Sequence, residues 1–220
     1  MFWQVSIWKE ADTMTIDKDD LLNSILESIG RIESIKLEDI PNIDLYMDQV
    51  TTFMDRKLKP TTRKPDEDKI LTKTMINNYA KNRLLPSPDK KKYSKEHMLL
   101  LIYIYYYKSI LSIGDIQSLL EPLTERYFHN DGNFNMQSIY EEVFSLERQE
   151  VEKMKQDVID KYHIASEIFP DAEEEDRQFL QTFSFICLLS FDVYVKKQVI
   201  EKLIDGLPKK ETGKKHKEKE

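Results

Sequence analysis

Residues 98–107, Met-Leu-Leu-Leu-Ile-Tyr-Ile-Tyr-Tyr-Tyr, constrain the fold more than any other stretch. Wound into a helix, they put an apolar or aromatic side chain on every face. Such a helix needs neighbours on several sides. The run is short of the ~20 residues that cross a bilayer, and so is the interrupted apolar run at 183–195. The sequence therefore predicts a soluble chain built around a buried helix over 94–110, capped by Ser94. With 5 Gly and 8 Pro in 220 residues, and no useful period-2 run or repeat, the remainder reads as all-α.

The other elements follow from periodicity and caps. Asp17 opens a short helix whose stripe is Leu21, Leu22, Ile25, Leu26 and Ile29, and Gly30 ends it. A helix over 44–58 buries Tyr46, Met47, Val50, Phe53, Met54 and Leu58, and a loop over 59–70 with Pro60 and Pro65 follows it. A helix over 111–123 turns Ile113, Ile116, Leu119 and Leu120 inward. The loop at 128–134 marks a domain boundary; its Asp131-Gly132-Asn133 lacks the rest of a calcium loop. Beyond it lie a long helix over 135–162 and another from 172 to Gly206. In the first, Met136, Tyr140, Val143, Val151, Met154 and Val158 approach a 3-4 repeat, a seam within one chain or between two. The expected division is an arm and short helix at 1–40, a central domain at 41–127, a helical domain at 134–206 and a disordered tail at 207–220. Trp3 and Trp8 fall in the arm.

Charge is uneven. The chain carries −7 overall, yet 56–95 holds 13 Lys/Arg against 4 Asp/Glu, or +9, which leaves −16 for the rest. A basic block in an acidic chain is an electrostatic footprint for a polyanion; the plainer reading is a solvated charged surface. At the centre of the block, Thr72 caps a helix over 72–83. Ile76, Tyr79 and Ala80 form its inner face. Lys73, Thr74, Asn77, Asn78 and Lys81 form an outer face without a carboxylate, and Arg83 follows. Amides, hydroxyls and ammonium groups are the types that read base edges and phosphates. The basic turn at 86–93 adds Lys90, Lys91, Lys92 and Tyr93.

Residues 75–81 with Leu84-Leu85-Pro86, Tyr93-Ser94 and the helix at 111–120 resemble the winged helix-turn-helix of MerR-like transcription regulators. The fuller string from 45 to 120, about a third of the chain, is similar to the uncharacterised bacterial family Domain of Unknown Function 1836. Two departures stand out: Asn77 occupies the place of the MerR arginine, and the turn lacks the wing's glycine-tyrosine-arginine. The resemblance implies an all-α fold with a minimal wing and a MerR-like winged helix-turn-helix, followed by a C-terminal helical domain.

The four histidines are scattered, the lone Cys187 offers no thiolate cluster, and no HExxH, CxxC, P-loop or GxGxxG occurs. The sequence thus points away from an enzyme, a metal site and a cofactor. One cysteine and no leader pattern fit a cytoplasmic protein. The expectation is a DNA-binding transcription regulator of double-stranded DNA, a homodimer, not membrane-bound, with no effector specified. The alternatives are a winged-helix protein-interaction module and an architectural DNA-binder.

Overall fold

The computed structural model describes residues 18–30 and 35–208. The expected cap Asp17, Trp3, Trp8 and the lysine-rich segment from 209 onward lie outside the described residues. The described chain is helical apart from one small sheet. Its helices are α1 (Lys18–Gly30), α2 (Met47–Leu58), α3 (Lys73–Lys81), α4 (Lys95–Tyr107), α5 (Ile113–Tyr127), α6 (Met136–Ser166) and α7 (Glu174–Asp205).

α4 stands at the centre, as its composition demands. Every residue from His97 to Ile104 is buried. The surrounding core comes from α2 (Val50, Phe53, Met54, Leu58), from Ile70 and Leu71, from α3 (Ile76, Tyr79) and from α5 (Ile116, Leu120). α6 closes one side: Tyr103 meets Tyr140 edge to face at 5.7 Å and stacks on Phe144 at 5.7 Å. The buried Tyr140 hydroxyl donates to the Ile35 carbonyl at 2.6 Å, so its polar end is satisfied. Met136, Tyr140, Phe144 and Ile204 join the same core as α2–α5, so one continuous core runs across the loop at 128–134.

The cap at Thr72 is the one the sequence marks, and Ser112 and Asn135 add two that it did not single out. Thr72 Oγ1 accepts from Met75 N–H at 3.2 Å, Ser112 Oγ from Asp115 N–H at 3.1 Å, and Asn135 Oδ1 from Gln137 and Ser138 N–H at 3.0 Å each. At α4, Ser94 N–H donates to His97 Nδ1 at 3.0 Å, a histidine in the place that Glu or Gln takes in a capping box.

The all-α reading holds, and three details are added to it or corrected. First, the chain has strands, though short ones: β1 (Leu45–Tyr46) pairs antiparallel with β2 (Lys92–Tyr93), Leu45 opposite Tyr93 and Tyr46 opposite Lys92. α2 accordingly starts at Met47 rather than 44, and Tyr46 turns outward, 53% exposed, because alternation along β1 sends Leu45 inward. Ile113 is exposed too, at the start of α5. Second, Met136 and Tyr140 are buried inside the chain, which is one of the two readings the α6 repeat left open. Third, α7 is a continuous helix of 32 residues with a window of mean hydropathy 1.3, long and apolar enough to cross a membrane by length and composition. The interruptions in its sequence do not interrupt the helix.

Candidate nucleic-acid interface

α3 is short, and its amphipathic division is sharp. Ile76 and Tyr79 anchor it to the core. On the opposite side Lys73, Thr74, Asn77, Asn78 and Lys81 are all exposed, so the structure brings five of the proposed contact residues onto one surface. Arg83 ends the helix in the left-handed region, φ 59°, and Leu84 N–H returns to the Tyr79 carbonyl at 2.9 Å. That closure usually falls to glycine. Leu84 and Leu85 then plunge into the core and fix the exit of the chain.

The basic turn is a tight hairpin tip. Asp89 and Lys92 form a bridge, Lys92 N–H donates to the Asp89 carbonyl at 2.8 Å, and the two residues between them, Lys90 and Lys91, have φ of 46° and 66°. Positive φ at both central positions is the type I′ pattern, which favours Asn-Gly because a Cβ crowds the backbone there. Here two lysines occupy it, and both side chains are exposed. Strain held at an exposed, charged turn is more often seen at functional positions than elsewhere.

Residues of the α2 N-terminus tie these two parts together. Asp48 pairs with Lys73 at the start of α3. Tyr46, two residues earlier, lies under the Lys92 ammonium, 5.4 Å from ring centroid to Nζ. Lys73 and Lys92 therefore flank one short segment, and the outer face of α3 and the turn belong to one side of the molecule. The sequence reading missed both Tyr46 and Asp48. Asp48 carries a usable signal, an acidic residue in the first turn of a helix beside a basic block; Tyr46 carries none, because it reads as the first position of an apolar stripe.

Tyr93 does not belong to this surface. Its ring is 3% exposed and meets the His97 ring edge to face at 5.5 Å; His97 in turn meets Phe128 edge to face at 4.9 Å. The ring anchors the hairpin and is withheld from any ligand. Lys92 is half-buried on Tyr46. The remaining eight residues are exposed, and among the described residues no ion pair engages Lys81, Arg83, Lys90 or Lys91. Lys73 differs, because its carboxylate partner from α2 gives this otherwise carboxylate-free face one negative group.

His97 bears on how this side is held. Its Nδ1 accepts from Ser94, so the proton sits on Nε2, which is buried without a hydrogen-bond partner. Burial lowers its pKa to about 4, against a smaller opposing pull from the backbone at Ser87 and Pro86. No group of His, Cys, Asp and Glu suited to a metal occurs among the described residues.

Residues 35–143 match the family model described as Domain of unknown function (DUF1836). The resemblance to that family read from the sequence holds over this stretch, from the segment before β1 to the first turns of α6. α7 and most of α6 lie outside it. Neither the curated proteins nor the solved structures contain a match.

Proposed function

We propose that the DUF1836 domain of this chain binds double-stranded DNA and serves transcription regulation, with α3 in the major groove and the Lys90-Lys91 tip against the sugar-phosphate backbone. The observation that carries this reading is the cluster of four cations without ion pairs among the described residues, Lys81, Arg83, Lys90 and Lys91, beside an exposed amide pair, Asn77 and Asn78, in a chain of net charge −7. An acidic protein that keeps uncompensated cations on one side has built a local field for a polyanion. The amides supply what cations lack, since Asn bonds bidentately to adenine whereas a phosphate contact carries no sequence information. The likeness of 75–86 and 93–94 to MerR-like regulators supports the same assignment. On this reading the protein is a binding protein of the cytoplasm and not an enzyme.

One observation favours a second reading. The Asp48 carboxylate on Lys73 places a negative group where a phosphate would approach, which suits a protein-interaction module on the same scaffold. A gel-shift panel of genomic fragments at 50 and 200 mM salt separates the two. Retention that weakens steeply with salt supports DNA binding; no retention at the lower salt favours the protein partner. An architectural binder would retain all fragments alike.

A further inference from the structure

We infer that the outer face of α7 is the contact surface for a second copy of this chain, packed antiparallel about a two-fold axis through Ile186. Phe179, Phe183, Ile186 and Val193 recur at spacings of 4, 3 and 7 residues on one side of α7, and each is more than half exposed. Phe191, Val195 and Val199, on the far side, are exposed as well; the flank at 181–185 is engaged within the chain. There the Phe185 ring meets Tyr162 edge to face at 5.6 Å, and Gln181 Nε2 donates to the Ser166 and Ile168 carbonyls at 2.7 and 3.1 Å. The exposed stripe is thus surplus to the monomer's own packing, and its 3-4 spacing is what helix pairs use to interlock.

Three features select a second copy over other occupants. The stripe is acidic at one end, with Glu175 and Asp176 ahead of Phe179, and basic at the other, with Lys196 and Lys197 after Val193. A two-fold axis at Ile186 brings Glu175 opposite Lys197 and Asp176 opposite Lys196, twice by symmetry. It also sets Phe179 against Val193 and Phe183 against Leu189, apolar against apolar. Finally, Phe179, Phe183, Ile186, Val193 and Tyr194 offer on the order of 100 Å² each, a large part of the roughly 800 Å² that a stable interface buries per partner. A bilayer suits the stripe less well. Acidic residues border one end, and Asp192, within the same helix, lies 3.6 Å from Lys161 of α6 and 2.9 Å from Lys196.

The inference stands independently of DNA binding, because its test contains no DNA. Light scattering on the full chain should give about twice the 26.2 kDa monomer mass at micromolar concentration. Phe183→Glu should return it to the monomer mass with its helical content unchanged. The pair Glu175→Lys and Asp176→Lys should raise the dimer dissociation constant about tenfold, as several exposed ion pairs together would, and adding Lys196→Glu and Lys197→Glu should restore it. Ile186→Cys in a Cys187→Ser background should form a disulfide-linked dimer, since axis residues come within bridging distance. Phe179→Cys in that background should not, because its two copies lie roughly 20 Å apart at 1.5 Å rise per residue. Cross-linking at both positions would mean parallel pairing. A monomer mass throughout, or binding to phosphatidylcholine–phosphatidylglycerol vesicles by a chain that stays monomeric, would overturn the inference.

Discussion

Two residue-scale features are unusual enough to test by themselves. His97 is buried with its pKa lowered to about 4, so folding keeps it neutral while the unfolded chain, with an ordinary histidine pKa of about 6.5, takes up a proton first. The unfolded state binds more protons throughout that window. Stability is therefore fully present above about pH 6.5 and falls as pH drops toward 4, by on the order of 3 kcal/mol. His97→Gln keeps a side chain able to complete the capping box at Ser94 and should flatten this acid limb; denaturant midpoints at pH 7 and pH 5 measure it, and an unchanged difference between them would remove His97 as the cause. The second feature is the Lys90-Lys91 turn, where Cβ atoms occupy positive-φ positions. Replacing the pair by Asn-Gly should raise stability by about 1 kcal/mol. In a DNA-binding protein the same change should weaken retention on every sequence and lower the log–log salt slope by about 2. Higher stability without any loss of DNA affinity would mean the lysines sit there for another reason.

At the scale of elements, α4 carries the fold. Leu100 and Ile104 are both fully buried, and truncating either to alanine should cost about 2–5 kcal/mol, read as a lowered melting temperature. An unchanged melting temperature would displace α4 from the centre. α4 was legible in the sequence because a segment apolar on all faces admits only one environment. α3 was legible for a different reason: its cap at Thr72 and its inner pair Ile76 and Tyr79 are local signals, and the structure bears both out. What escaped depends on partners distant in sequence. Tyr93 reads as a tip residue of a basic turn, yet it is buried against His97, which is backed in turn by Phe128 from the far side of two helices. β1 and β2 have two residues each, too few for alternation to register. The positive φ values fall on lysines, where no glycine announces them. Along α7 the apolar spacing was plain; which of its sides the chain covers was not, because spacing says that a face seeks cover and is silent about what covers it.

The whole molecule divides its labour. The stretch that matches the DUF1836 model, centred on α4, holds α3 and the lysine tip on one side, and α6 and α7 extend the chain beyond that match. The central claim is that α3 reads bases while the tip grips phosphates, and these roles respond differently to salt and to sequence. The decisive measurement titrates wild type, Asn78→Ala and Lys91→Ala on a duplex retained in the gel-shift panel and on its scrambled counterpart, at several salt concentrations. Lys91→Ala should weaken both duplexes alike and lower the salt slope by about 1. Asn78→Ala, or Asn77→Ala if that amide faces the groove, should cost about 1–3 kcal/mol on the retained duplex and nothing on the scrambled one. Equal losses on both duplexes for every variant would deny α3 its reading role, and no change in any of them would contradict the account.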